Sequence, residues 1–323
     1  MHKDIPNSVW DHFFDNLTVE SCDSIYTYAP VFKIKTTQNT YVLKQTRSPL
    51  TDANKITSWC ESMQKIGLSI VTPVALSSSN PMLHEEEVWI VYPFYDGVQY
   101  IACNEQIAQA GDYLGRMHQA NDSSITLPQF EFPDEVSFES FTQDYNQLLS
   151  NAKANSYSIS EKLHLHLQNQ FTKFEGLVDK LSTLVQDQNI VWTNATWDYK
   201  ANNLIFRKQN DPCLIDPDNG GYLPRVFDLA LAVLLFHNEL PSAPHRLFNH
   251  DQWSVFITSY KKHVTLSDQE ISLWPDAINF MALDEAIWLL GDDQDGWKDN
   301  HQGQFLYNLA NSFTELTNRF TID

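Results

Sequence analysis

Asp198 and Asn203, with four residues between them, lie just ahead of an apolar, β-prone run, Leu204-Ile205-Phe206. Asp216 and Asp218 leave the end of a second such run, Cys213-Leu214-Ile215. The polar stretch from Arg207 to Pro212 predicts a turn, so the two runs predict a hairpin. A hairpin brings the residues flanking its strands together, which would gather Asp198, Asn203 and Asp216 at one end of the ribbon. Hard oxygen ligands of this kind suit Mg²⁺, and the chemistry that asks mainly for such positioning is phosphoryl transfer. An Asp there orients an acceptor hydroxyl and takes its proton, while a following Asn and a second Asp hold the metal. Asp198, Asn203 and Asp216 have that order and spacing. Asp and Asn are also common turn formers, so the first pair carries the reading only together with Asp216 and Asp228 in register.

The segment resembles the catalytic core of the aminoglycoside phosphotransferase and choline kinase superfamily, the small-molecule relatives of protein kinases. Its members commonly read H-G-D-x-x-x-x-N, a strand, I-D-x-D or I-D-F and, after a gap, D-L-A. The matching positions here are Thr196-Trp197-Asp198, Asn203, Ile215-Asp216-Pro217-Asp218 and Asp228-Leu229-Ala230. Thr196 replaces a His that braces the loop, and Trp197 replaces a Gly. The resemblance implies an α+β, bilobal protein-kinase-like fold. A small antiparallel-sheet lobe would span residues 1–92, a hinge 93–97, and a larger, mostly helical lobe 98–323. It also implies ATP or GTP as phosphoryl donor, Mg²⁺, and a small-molecule hydroxyl as acceptor. Asp228 is expected to bond the backbone of the catalytic loop.

The elements that must position these groups follow from periodicity. A helix is expected over Val9 to Leu17, then strands at Ser24 to Tyr28, Val31 to Lys35 and Tyr41 to Gln45. Lys44, at the end of the third strand, resembles the kinase lysine that pairs the phosphates. Thr27-Tyr28-Ala29-Pro30 has no glycine where kinases often carry a Gly-rich loop. Ser48 to Lys65 reads as a helix whose stripe of Ile56, Trp59, Cys60 and Met63 would face a sheet, with Gly67 as its C-cap. In kinases that helix supplies a carboxylate to the lysine; the candidates are Asp52, nearer the expected turns, and Glu61. Further β runs are expected at Ser69 to Leu76 and Val88 to Tyr92. The hinge comes next, with the backbone of Tyr92 and Phe94 as contacts for the nucleotide base, since Pro93 lacks an N–H. Helices are expected at Gln106 to Gln119, Ser158 to Leu184, Asp251 to His263, Ser267 to Leu290 and Gln304 to Phe320, with His118 as a packed or capping residue.

The family binds its acceptor with the C-terminal helices. Asp284, Glu285, Asp292, Asp293 and Asp295 are therefore candidates to receive an ammonium group, with Trp288 or Trp297 as a cation–π wall. Asp218 would assist the metal, face the substrate or cap the succeeding turn.

Composition bounds the rest. At 323 residues, the chain has room for two lobes with cores of their own. Lys plus Arg is 21 and Asp plus Glu is 41, a formal charge of −20. That surface argues against nucleic acid or anionic membrane as partners and suits a cationic small molecule. Cys22, Cys60, Cys103 and Cys213 are scattered, without a C-x-x-C pair, and neither an apolar leader nor a run of the ~20 residues of a membrane span is present, so the expected address is the cytoplasm. The reading is a Mg²⁺-dependent small-molecule kinase whose acceptor is a cationic metabolite or an aminoglycoside-type antibiotic; the alternative is a catalytically weak or inactive nucleotide-binding pseudokinase that regulates a partner.

Overall fold

The computed structural model describes residues 5–26, 29–120, 124–133, 138–207 and 210–323. It opens with helix α1 (Asn7–Phe14), then strands β1 (Val19–Ser24), β2 (Val31–Thr36) and β3 (Thr40–Thr46), helix α2 (Leu50–Lys65), and strands β4 (Met82–His84) and β5 (Glu87–Pro93). The five strands form one antiparallel sheet in the order β1-β2-β3-β5-β4. Strand alternation sorts its faces. Phe32, Ile34, Tyr41 and Leu43 pack with Val9, Phe13 and Phe14 of α1 in one core. Val42 lies on the opposite face, where it meets Ala53, Ile90, Tyr92, Cys213 and Ile215. Lys44 has the parity of Val42, so the alternation aims it at the segment that carries Asp216.

The remainder is mostly helical, as expected. Helices α3 (Asn104–Gln119), α4 (Phe138–Ala154) and α5 (Glu161–Leu184) lead to strand β6 (Trp192–Ala195), the hairpin β7 (Leu204–Arg207) and β8 (Asn210–Leu214), and β9 (Gly221–Pro224), which pairs with β6. Then come α6 (Arg225–Leu235), α7 (His250–Tyr260), α8 (Asp268–Met281), a π-turn at Ala282–Ala286, α9 (Ile287–Asp292), α10 (Gln294–Lys298), α11 (Asn300–Ser312) and α12 (Leu316–Arg319). Gly111 and Gly115 let α3 lie directly on α7, because a Cβ at either would stand 2.2 Å from the Phe256 carbonyl oxygen or 2.5 Å from that of Tyr260. Gly97 does the same for the chain leaving the sheet, where a Cβ would meet the Phe206 carbonyl at 2.6 Å. Among the described residues no helix is long and apolar enough to cross a membrane.

Several local expectations are corrected. The first strand lies at Val19–Ser24, upstream of the expected Ser24 to Tyr28; its sequence, VESCDS, is a polar edge strand with no apolar alternation to mark it, and residues 27 and 28 lie outside the described residues. Ser69 to Leu76 is not a strand. Pro73 cannot donate to a ladder, and the segment docks on the catalytic hairpin through Val71 N–H to the Leu214 carbonyl (2.9 Å) and Leu214 N–H to the Ser69 carbonyl (3.0 Å). The apolar stripe of α2 does not face the sheet: Ile56, Trp59, Cys60 and Met63 belong to the large core that includes Tyr113 and Leu114 of α3. Helix α4 was not anticipated, and α5 begins at Glu161, where the Ser160 hydroxyl accepts from Leu163 N–H.

Candidate active site

The expected hairpin forms, with Leu204 opposite Leu214 and Ile205 opposite Cys213, and its second strand begins at Asn210, inside the stretch expected to be the turn. Ile215 N–H closes on the Asn203 carbonyl at 2.9 Å, which holds the two flanks of the ribbon together. A 3₁₀ turn, Ala201–Asn203, swings Asn203 back so that its Nδ2 donates to Asp198 Oδ2 and to the Asp198 carbonyl, both at 3.0 Å. Because the amide nitrogen makes those bonds, Oδ1 of Asn203 is the atom left for a cation. Burial pushes the Asp198 carboxyl up to about 6; Lys200 opposes that rise, and the nearby Asp216 charge adds to it.

Asp216 does meet the predicted lysine. Lys44 Nζ lies 2.5 Å from Asp216 Oδ1 and 3.1 Å from Asp218 Oδ2. Burial alone would lower this ammonium's pKa, but the two carboxylates outweigh it and hold the group firmly charged. Asp218 is buried and also accepts from the Tyr92 hydroxyl at 2.8 Å through Oδ1. Its Oδ2 faces Lys44 without an aligned hydrogen bond. A buried carboxylate oxygen with an unfilled acceptor site is a natural seat for a hard cation. Among the described residues no three His, Cys, Asp or Glu side chains form a ready-made metal cage. Mg²⁺ takes one or two carboxylates and completes its shell with water and substrate phosphate, and Asp216 and Asp218 are two carboxylates brought together at Lys44.

Several site expectations change. Asp52, expected to face Lys44, bonds Lys55 of its own helix at 3.2 Å, and Glu61 is exposed, so the partners of Lys44 come from the hairpin and not from α2. The Phe94 N–H is already bound to the Thr40 carbonyl at 2.9 Å. Antiparallel alternation then makes Tyr92, paired with Val42, the next hydrogen-bonded position, so both backbone groups turn into the sheet and the Pro93 carbonyl is left facing the open edge. Trp297 is fully buried, with its indole N–H on the Leu290 carbonyl at 2.9 Å. Asp293 caps α10 and Asp295 pairs with Lys298 on the surface. Asp292 and Trp288 are exposed, and Trp288 does not line the cleft between the π-turn and Trp197.

Asp284 and Glu285 do. They sit on the π-turn after α8 and line this cleft of about 390 Å³ with Phe130, Glu131, Trp197, Asn219, Gly220 and Gly221 among others. Such widened turns recur at functional sites. Burial pushes the Asp284 carboxyl up to about 6 and the Glu285 carboxyl up to about 7, with the charges of Asp284 and Asp198 adding to the second. Glu285 and Trp197 line the cleft together, and the Trp197 ring lies 5.2 Å from that of Phe130. Trp197, and not Trp288 or Trp297, supplies an aromatic wall.

Trp197 has a left-handed backbone, φ 54°. Glycine takes that conformation without cost, whereas a bulky residue there stores roughly 1–3 kcal/mol and persists only where its surroundings hold it. The holding group is Asp228, whose Oδ1 accepts from Trp197 N–H at 3.0 Å. The other oxygen of Asp228 pairs with His118 Nε2 at 2.9 Å, and His118 Nδ1 meets the Tyr260 hydroxyl at 2.9 Å. Both His118 and Asp228 are buried. This chain of bonds braces the loop from α3, α6 and α7. Thr196 contributes no bond to it, since its buried hydroxyl has no partner among the described residues.

Sequence reading missed Lys200 and Glu239. Lys200 Nζ lies 3.3 Å from Asp198 Oδ2 and 3.0 Å from Glu239 Oε2, and the Tyr26 hydroxyl donates to the same Glu239 oxygen at 3.3 Å. A lysine two residues after the candidate base was a readable signal; Glu239, thirty-nine positions further on, had none.

Similarity to known proteins bears on the fold and the family. No curated protein matches the chain by sequence. Among solved structures, a microcompartment-associated aminopropanol kinase superposes with TM-score 0.63 at 10% identity, covering 97% of this chain and 95% of the other. The choline kinase LicA from Streptococcus pneumoniae gives 0.58 at 13%, covering 96% and 98%. A spectinomycin phosphotransferase, APH(9)-Ia, solved with ADP and spectinomycin, gives 0.55 at 15%, covering 99% and 97%. These likenesses show the protein-kinase-like fold of small-molecule kinases. Residues 27–256 match the family described as Phosphotransferase enzyme family, a span that runs from the N-terminal sheet through the catalytic hairpin into α7, and the chain therefore belongs to that family.

Proposed function

We propose that this protein transfers the γ-phosphoryl group of a nucleoside triphosphate, ATP or GTP, to a hydroxyl of a small cationic molecule. The observation that carries the reading is the convergence of Asp198, Asn203, Asp216 and Lys44 at the end of one hairpin, beside a cleft lined by three carboxyls, Glu131, Asp284 and Glu285, and two aromatic rings. Structures of similar fold bear the names of kinases for aminopropanol, choline and spectinomycin, and one of them holds ADP, which supports a nucleotide donor and an amine-bearing acceptor here.

Asn203 Oδ1, Asp216 and Asp218 would hold Mg²⁺, which when bound neutralises phosphate charge. Asp198 orients the acceptor. Its Oδ2 is fixed by Asn203 and Lys200, and Oδ1, with no hydrogen bond among the described residues, accepts the hydroxyl proton. The acceptor oxygen forms a bond to phosphorus as the bond to the β-phosphate bridging oxygen breaks, and the nucleoside diphosphate leaves with that electron pair. Lys44, which pairs with Asp216 and Asp218, is placed to meet the phosphates, and a cation held by those carboxylates would free it to do so. Lys200 keeps positive charge beside Asp198 throughout.

The test is Asp198→Asn. Turnover should fall by a factor of about 10² to 10⁴, the range typical of a lost general base, while the affinity for Mg²⁺-nucleotide stays within a few fold. Unchanged turnover removes Asp198 from the mechanism. Slow Mg²⁺-dependent nucleotide hydrolysis without acceptor separates an active kinase from a pseudokinase, which would bind nucleotide and release it intact.

A further inference from the structure

We propose that Trp197 selects the acceptor: its indole walls the cleft so that a compact ammonium-bearing alcohol fits between the ring and the Asp284 and Glu285 carboxylates, while a multi-ring amine does not. The inference deepens the phosphotransfer reading and rests on it for the identity of the cleft as the acceptor site.

Three observations support this. The first is a mismatch between residue and backbone, because a left-handed φ of 54° favours glycine and the chain places its bulkiest side chain there. The second is how firmly the ring is fixed. The backbone N–H is held by Asp228 at 3.0 Å, and the ring packs 5.2 Å from Phe130. A loop that only had to present Asp198 would need the first of these tethers and not the second. The third is what the ring faces. Trp197 is half-buried and lines the cleft together with Asp284 and Glu285.

An indole face attracts a cation through its quadrupole, and adjacent carboxylates add charge to the same spot. Trp197 immediately precedes Asp198, and the Glu285 carboxyl in the same cleft feels the Asp198 charge, so a compact amino alcohol held on the ring keeps its hydroxyl near the base. The indole also takes up the room that a glycine at this position would leave for further rings.

The experiment measures binding and turnover separately in the full chain. Calorimetric titration of 2-aminoethanol, choline and the three-ring aminoglycoside kanamycin is run on the wild type, Trp197→Gly, Trp197→Phe and Trp197→Leu, with Mg²⁺ and ADP present. The wild type should bind at least one compact cation and should bind kanamycin at least tenfold more weakly. W197G should lose tenfold or more in compact-cation affinity and gain in kanamycin affinity. W197F should keep most of the compact-cation affinity, and W197L, of similar bulk but without a π-face, should not; this pair carries the test if W197G does not fold. Compact-cation affinity unchanged in both W197G and W197L overturns the proposal, as does equal wild-type affinity for kanamycin. Failure of the wild type to bind either compact cation overturns it as well. Trp197-dependent binding without phosphorylation of the bound alcohol supports this proposal and counts against the phosphotransfer reading alone.

Discussion

Thr196 shows how one position can be read in type and missed in role. The family places a bracing His there, and the sequence shows only that this His is gone. In the structure the bracing comes from His118 through Asp228 to Trp197 N–H, while Thr196 buries a hydroxyl with no partner among the described residues. An unsatisfied buried polar group costs about 1–3 kcal/mol, so the isosteric Thr196→Val should raise unfolding stability by about 1 kcal/mol. Chemical denaturation checks this; a loss of stability would mean that the hydroxyl has a partner after all. That Asp198, Asn203 and Asp216 would come together was legible, because the flanks of a short hairpin close on each other, as the Ile215 N–H to Asn203 carbonyl bond does here. Lys44 was legible by position, but its partners were not, since ion pairing across 172 residues leaves no local pattern.

At the scale of elements, the π-turn after α8 decides what the C-terminal acidic residues do. Of the five carboxylates considered, only Asp284 and Glu285 line the cleft, because the turn Ala282–Ala286 delivers them there. Burial raises both carboxyls, Glu285 to about 7. A carboxyl with a folded pKa above its unfolded value binds its proton more tightly in the native state. Its penalty is therefore absent below about pH 4, where both states are protonated, grows as the unfolded chain ionises, and is complete once the native carboxyl has ionised too. Glu285→Gln should then add roughly 1–2 kcal/mol of stability at pH 8 and almost nothing at pH 4, the figure being reduced from the full shift because the side chain partly reaches solvent. Denaturant midpoints at the two pH values decide it, and equal increments would deny the burial effect. The helix assigned over Ser267 to Leu290 covered this region without its interruption, since an inserted residue changes hydrogen bonding but not the apolar period that sequence reading uses.

At the scale of the molecule, the polar ties between the sheet and the helical body include, among the described residues, Lys44 with Asp216 and Asp218, the Tyr92 hydroxyl with Asp218 at 2.8 Å, Ser48 Oγ with the Asp218 carbonyl at 3.1 Å, and Tyr26 with Glu239. A ligand that takes over the charge at this seam binds the native state only. At one hundred times its dissociation constant, Mg²⁺-nucleotide should stabilise the chain by about 2.7 kcal/mol. Asp216→Asn should abolish the Mg²⁺-dependent part of that gain in a thermal-shift assay. A full gain in the variant would take Asp216 out of the metal site.

The amino-acid sequence by itself determined the hairpin, the order of its carboxylates and the split between a sheet-rich start and a helical remainder, because each is set by local spacing, turn chemistry and apolar period. Tertiary structure alone decided which carboxylates face Lys44, which face of α2 is buried and against what, which backbone groups are spent within the sheet, and which tryptophan walls the cleft. Those outcomes depend on pairings between residues far apart in the chain, and such pairings come from how the elements pack rather than from what any one of them contains.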